Sequence, residues 1–309
     1  MQPVSNPVAA IDCGTNAIRL LIAHRDPAGA VREVVREMRT VRLGEGVDRT
    51  GEFSAAALER TFAACSEYQT LLMQHSVHRI RFIATSASRD VRNRSDFVAG
   101  VESILGTTPE VITGEQEAEL SYVGALSGFP QDLAGPSLVA DIGGGSTEFV
   151  MRTDRYRAHS LNVGCVRMTE RHLHSDPPTR EEINNTIADI HAGLHQVAQS
   201  LPVTTVRTFI GLAGSVTTMS AMAMGLDEYD PRRIHGSHMS LRQVEEVTDR
   251  LLHLTRAQRA ELGFMHPGRV DVIGGGALVL RESMRVLGLS EVLVSEHDLL
   301  DGVVASLTP

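Results

Sequence analysis

One pattern occurs twice in this chain. Residues 9–24 read "AAIDCGTNAIRLLIAH" and residues 138–151 read "LVADIGGGSTEFVM". Each is an apolar run, an Asp-x-Gly turn with small polar residues, and a second apolar run, which predicts strand, turn, strand. Asp12 and Asp141 lie 129 positions apart, a spacing that suits one domain, so a duplicated α/β domain is the economical reading. Glycine loses more backbone freedom on folding than any other residue, so Gly143, Gly144 and Gly145 in a row need a reason. Two are available: a tight turn that demands positive φ, or backbone N–H groups that must approach a phosphate, with flanking carboxylates holding a cation.

The rest of the chain alternates in the same way. Strands are predicted over "VREVVREMRTVRL", "RIRFIAT" and "EVITG", and helices over "SAAALERTFAACSEYQTLLMQHS", "DFVAGVESIL" and "EQEAELSYVGAL". The second half adds strands near 137–162, a helix within 179–200, and a closing strand and helix in "EVLVSEHDLLDGVVASL". Glycine loops following predicted strands are expected around Gly14, Gly143, Gly214 and Gly275. Such βα alternation implies α/β layers. The 309 residues suit two domains, with a boundary near residue 124 at the Gly/Pro-rich "GALSGFPQDLAGP". The expected domains are 1–124 and 125–295, with the C-terminal helix in 296–309 packed back on the first.

Composition narrows the chemistry. A net charge of −9 argues against broad nucleic-acid binding. No apolar run reaches the ~20 residues of a membrane span, and no signal peptide is read at the start. Cys13, Cys65 and Cys165 are too few and too scattered for a disulfide framework or a metal site, so a cytoplasmic protein is expected. All 29 basic side chains are arginine; the chain has no lysine. A phosphate here must therefore be met by arginine, backbone N–H or metal, and neither a P-loop nor a Rossmann fingerprint is present.

The Asp-x-Gly pair, with "FIATSASRDVRNRSDF", "VITGEQEAELSYVGA", "NVGCVRMTE" and "GLAGSVTTM" in that order, resembles the exopolyphosphatase/guanosine pentaphosphatase (Ppx/GppA) family. The resemblance covers nearly the whole chain, and the length matches short, two-domain members. It implies two RNase H-like domains of the actin/hexokinase/heat-shock ATPase superfamily, with an active-site cleft between them. It also implies hydrolysis of a terminal phosphoanhydride with Mg²⁺ (or Mn²⁺) and a glutamate as general base. That glutamate corresponds to Glu117 in "EQEAEL", where Gln116 and Glu119 depart from the family pattern and leave Glu115 and Glu119 as rivals. The implied phosphate ligands are Gly14, Thr15, Asn16, Arg89, Gly143, Gly144, Gly145, Ser146 and Thr147; the implied metal ligands are Asp12, Asp141 and Glu148.

Each of these residues has a plainer reading. Acidic residues at a helix start favour the macrodipole and are usually solvated. Arg19 is as well placed to point outward from its strand as to touch substrate, and Arg92 and Arg94 read as solvent-facing. "GLAGSV" either lines a nucleotide-base pocket or closes a sheet, and the histidines at 172, 174, 235 and 238 read as surface or loop residues. The expected substrate is inorganic polyphosphate, with pppGpp the nearest alternative. An ATP-dependent phosphotransferase and a polyphosphate- or nucleotide-binding regulator without turnover are the rivals from other classes. The reading implies no nucleic-acid or membrane partner and is compatible with a homodimer.

Overall fold

The computed structural model describes residues 6–26, 30–89, 91–129, 133 and 135–307. The chain divides into two compact units, Met1–Gly124 with Leu299–Pro309, and Ala125–Asp298.

The first unit runs β1 (Val8–Cys13), β2 (Ala17–Arg25), β3 (Val31–Thr40), α1 (Val47–Thr50), α2 (Ala55–Gln74), β4 (Arg79–Ala84), α3 (Ser86–Arg89), α4 (Arg94–Leu105), β5 (Glu110–Val111) and α5 (Gly114–Ser127). Its sheet has the order β3-β2-β1-β4-β5. The first three strands form an antiparallel meander, and β4 and β5 continue it in parallel. Helix α2 starts where the Ser54 hydroxyl accepts from the Ala57 N–H. It buries Ala57, Thr61, Ala64, Cys65, Tyr68 and Leu72, a stripe at helical spacing that packs with α4 over one face of the sheet.

The second unit runs β6 (Ser137–Ile142), β7 (Thr147–Arg152), β8 (Tyr156–Leu161), α6 (Cys165–His172), α7 (Arg180–Ser200), β9 (Thr208–Leu212), α8 (Ala213–Ala223), α9 (Pro231–Ile234), β10 (His238–Ser240), α10 (Leu241–His253), α11 (Arg256–Ala260), α12 (Ile273–Leu287) and β11 (Glu291–Val294). The order β10-β11-β9-β6-β7-β8 repeats the arrangement of the first sheet: a meander of three strands, then parallel neighbours, with β10 as an added edge. Helix α13 (Leu299–Leu307) returns to the first unit and covers the second face of its sheet. There Gly302 lies against the Leu120 carbonyl, where a Cβ would fall 2.0 Å from the oxygen. Both units are RNase H-like, of the actin/hexokinase type.

Two of the four expected glycine loops are not loops. No strand precedes Gly275; Gly274, Gly275 and Gly276 lie inside α12, which is buried on all sides through its first three turns. A Cβ on Gly275 would sit 2.7 Å from the Cys165 carbonyl oxygen, and one on Gly276 would sit 2.1 Å from Ser215 Oγ. These glycines let helices approach closely, which a strand-like apolar run does not reveal. Gly214 likewise falls in the first turn of α8, which follows β9 directly, with Ala213 turning the chain at φ 67°. The space its side chain would fill is taken by the Arg269 guanidinium, with Cζ 2.2 Å from the ideal Cβ position. The sequence reading assigns no strand or helix to residues 226–268, although Ser240 and Gln243 form a capping box at the start of α10. His235 lies half-buried in the turn after α9, where it stacks on Phe129 at 4.7 Å and lies 5.0 Å from the His297 ring.

Candidate active site

In the second unit, the loop between β6 and β7 carries Gly143, Gly144, Gly145 and Ser146. The Gly143 N–H donates to the Ser146 carbonyl at 3.0 Å and closes the turn. Gly143 is not in the left-handed region, so a need for positive φ does not explain it. The carbonyls do. Gly143 O accepts from the Cys165 N–H at 2.9 Å, and Gly144 O accepts from Val166 N–H at 2.8 Å and Arg167 N–H at 3.1 Å. Gly145 O accepts from Arg167 Nε at 2.7 Å. The first N–H groups of any helix lack intrahelical partners, and here α6 spends them on the loop. A trans peptide points its N–H opposite its C=O, so the N–H groups of Gly144 and Gly145 face away from α6. Successive N–H groups presented this way form an anion-binding concavity.

Close approach is what selects glycine at Gly164 too. Its backbone is extended, at φ −153° and ψ 166°. A Cβ there would lie 2.5 Å from Gly144 O and 2.7 Å from Ser146 N. Thr147 departs from its expected role: its side chain is fully buried and its hydroxyl donates to Val163 O at 2.6 Å, tying β7 to the segment before α6.

The equivalent turn in the first unit has the same closure, with Gly14 N–H donating to Ala17 O at 3.0 Å. Thr15 O accepts from Gly44 N–H, and Asn16 O accepts from Val41 and Arg42 N–H. Thr15 Oγ1 lies 2.9 Å from Ser86 Oγ, so the turn is braced by the residues that follow β4. Gly44 is required here, since a Cβ would fall 2.3 Å from Thr15 Cγ2.

The two Asp-x-Gly aspartates occupy matching register positions and have different neighbours. Asp12 lies opposite Arg19 on β2, and Asp141 lies opposite Glu148 on β7. Arg19 binds Asp12 Oδ2 through Nη2 at 2.6 Å and Nε at 3.0 Å, so Arg19 is not simply an outward strand residue. Glu148 is 1% exposed and accepts from Ser160 Oγ at 2.7 Å. Among the described residues, no group of three His, Cys, Asp or Glu side chains is gathered as a metal cage.

Glu117 sits on the first turns of α5. Thr113 caps that helix: Gln116 N–H donates to Thr113 Oγ1 at 3.2 Å, and Thr113 N–H donates to Gln116 Oε1 at 3.0 Å. The amide at position 116, a departure from the family pattern, is therefore a working capping-box partner. Glu117 is 7% exposed, while Glu115 and Glu119 are exposed. A buried carboxylate needs a partner, and Arg89 Nη1 donates to Glu117 Oε2 at 2.8 Å. Arg89 is in turn held by Arg94, whose Nη2 donates to the Arg89 carbonyl; Arg94 is half-buried, not solvent-facing. Arg92 is exposed and pairs with Glu52. Asn93 is committed to the Phe53 backbone, accepting from its N–H at 2.9 Å and donating to its carbonyl at 3.0 Å.

Sequence reasoning missed Gly44, Gly164, Ser86 and Arg167. All but Gly44 had a signal, since Ser86 lies in "FIATSASRDVRNRSDF" and Gly164 and Arg167 in "NVGCVRMTE".

Two RNase H-like units, each opening on an Asp-x-Gly turn closed by its own backbone hydrogen bond, define a protein of the actin/hexokinase fold type. The model of the Ppx/GppA phosphatase family matches residues 21–309, and the chain belongs to that family; it is a phosphoanhydride hydrolase. It is 47% identical to Exopolyphosphatase 2 of Mycobacterium tuberculosis, over 97% of this chain and 98% of that one. It is 28% identical to a guanosine-5′-triphosphate,3′-diphosphate pyrophosphatase of Aeromonas salmonicida, over 97% of this chain and 59% of that one. A crystal structure described as an exopolyphosphatase-like protein superposes with a TM-score of 0.93 at 43% identity, covering 98% of both chains. Among the described residues, no helix is long and apolar enough to cross a membrane.

Proposed function

We propose that this chain is a Mg²⁺-dependent exopolyphosphatase that releases terminal phosphate from inorganic polyphosphate. The observation that carries the reading is the Gly143–Ser146 loop, whose carbonyls are consumed by α6 so that the N–H groups of Gly144 and Gly145 are presented to an anion. In the proposed reaction, water attacks the terminal phosphorus and Glu117 accepts its proton. The anhydride P–O bond breaks, and the shortened chain leaves with the bonding electrons. The loop holds the transferred phosphoryl group through the Gly144 and Gly145 N–H groups, with Ser146 beside them. Gly14, Thr15, Asn16 and Arg89 are assigned to phosphate as well. Positioning and charge stabilisation carry most of the acceleration in phosphoryl transfer, and the base need only orient and deprotonate water.

The donor set fits Mg²⁺. Asp141 and Glu148 are hard oxygen ligands facing one another across β6–β7, and Mg²⁺ is usually held by one or two carboxylates plus substrate phosphates, without a protein cage. Asp12, already paired with Arg19, fits an outer position better than a direct one. Bound Mg²⁺ would neutralise charge on the phosphate oxygens.

The nearest alternative is pppGpp 5′-phosphohydrolase, supported by the Aeromonas relative. Polyphosphate is preferred because the exopolyphosphatase relative matches end to end, whereas only 59% of the Aeromonas protein is matched. The test is phosphate release from polyphosphates of several lengths, pppGpp and ATP, with and without Mg²⁺. Release from polyphosphate at the highest kcat/KM, abolished by chelation, is expected. Preference for pppGpp would transfer the assignment to the alternative, and tight binding without release would select a regulator.

A further inference from the structure

The Arg167 side chain holds the glycine loop by its backbone. It sits on the first turn of α6 and makes two contacts to consecutive carbonyls: its N–H donates to Gly144 O at 3.1 Å, and its Nε donates to Gly145 O at 2.7 Å. The helix itself can supply only backbone donors, and Gly143 and Gly144 have taken them. The next carbonyl along the loop, that of Gly145, is out of reach of the helix backbone and is met by the guanidinium instead.

We propose that Arg167 is a positioning residue for phosphate binding. Its side chain fixes the Gly145–Ser146 peptide, and so the Ser146 N–H beside the Gly144 and Gly145 donors, without being the phosphate ligand assigned in that loop. The argument has two parts. Peptide planarity means that holding a C=O in place also sets the direction of the N–H on the same unit. A charged donor on a peptide carbonyl also polarises that peptide, which strengthens the N–H as a donor. Glycine gives the loop no side chains with which to brace itself, and its backbone is the most permissive of all. An external brace therefore decides whether the loop is an ordered anion site or a mobile turn. Gly164 lets the brace work, because a Cβ there would push Gly144 O and Ser146 N out of position. Arg167 and Gly164 thus act on the same four residues from opposite requirements, one supplying a bond and the other vacating space.

This inference rests on the proposed use of the loop, and the test separates the two. Arg167→Met keeps the aliphatic stem and removes the donor; Arg167→Lys keeps a charged donor without the planar guanidinium. Inorganic phosphate and pyrophosphate are titrated against ¹⁵N-labelled protein while the Gly144, Gly145 and Ser146 amides are followed. Polyphosphate turnover is measured on the same preparations. A displacement of about 1 Å at a positioned group typically costs on the order of 10²-fold in rate. Arg167→Met is expected to lose roughly that much in kcat and to shift the Ser146 amide, with melting temperature nearly unchanged. Arg167→Lys should recover part of the loss, and added methylguanidine should restore part of the activity of Arg167→Ala. If the parent's loop amides respond to phosphate but its turnover falls on another substrate, the functional reading fails and the brace survives. Parental kcat and parental amide shifts in Arg167→Met would overturn the brace. So would losses that follow melting temperature alone, with neither lysine nor methylguanidine giving rescue.

Discussion

Arg89 Nη1 donates to Glu117 Oε2 at 2.8 Å, and this pair joins the end of α3 to the first turns of α5. It also separates Glu117 from its neighbours, because Glu115 and Glu119 on the same helix are exposed. Glu117→Gln preserves shape and removes basicity. Loss of a general base typically costs roughly 10²- to 10⁴-fold in rate, so kcat should fall by that order while polyphosphate still binds. Glu115→Gln and Glu119→Gln should stay near the parent. A dead Glu119→Gln beside an active Glu117→Gln would show the base to be misassigned.

Asp141 and Glu148 are proposed to hold the cation, and Ser160 orients Glu148 through its 2.7 Å hydrogen bond. Outer partners of metal ligands commonly contribute roughly 10- to 100-fold in affinity or activity. Asp141→Asn and Glu148→Gln should raise the Mg²⁺ concentration at half-maximal rate, and Ser160→Ala should raise it less. Mg²⁺ titrations that superpose on the parent curve in all three variants would remove these residues from the metal site.

Gly164→Ala tests the close approach directly. The added methyl would lie 2.5 Å from Gly144 O, a backbone atom that cannot rotate aside. Overpacking of this kind costs about 1–3 kcal/mol in stability, and the displaced loop should lose activity well beyond that. Phosphate release and melting temperature on one preparation decide the matter. A variant that is destabilised yet hydrolyses at the parental rate when kept cold would confine Gly164 to a structural role.

A pH effect is built into the start of α7, far along the chain from these residues. Glu182 accepts from the backbone N–H of Thr179 at 2.7 Å and of His174 and Ser175 at 3.0 Å. These bonds, that of Thr179 foremost, lower its pKa from 4.5 to about 2. A carboxyl depressed in the fold contributes stability above its unfolded value, and that contribution is lost as pH falls through the folded value. Parent and Glu182→Ala should therefore differ in urea midpoint at pH 5 or so and converge as pH approaches about 2. A difference that persists unchanged at the lowest pH would mean the bonds do not depend on the charge.

What could be read in the sequence was local or repeated. The Asp-x-Gly turns, the strands around them, the Ser54 cap and the apolar stripe of α2 each depend on residues a few positions apart. The periodicity of the apolar residues and the chemistry of the turn specify them before any tertiary contact forms. The Ppx/GppA resemblance was legible for the same reason, since its motifs are short and contiguous. Tertiary structure decided what depends on neighbours distant in the chain. Gly274, Gly275 and Gly276 look like a loop in sequence and are helix, and α6 and α8 pack so closely on Gly275 and Gly276 that no side chain fits there. Thr147 looks like a phosphate ligand, and its buried hydroxyl donates to the Val163 carbonyl. The three loop glycines show the division most clearly. Their composition announces a backbone that must do something unusual. Which way that backbone turns is set by α6, Arg167 and Gly164, about twenty residues downstream, because only there do donors and empty space meet its carbonyls.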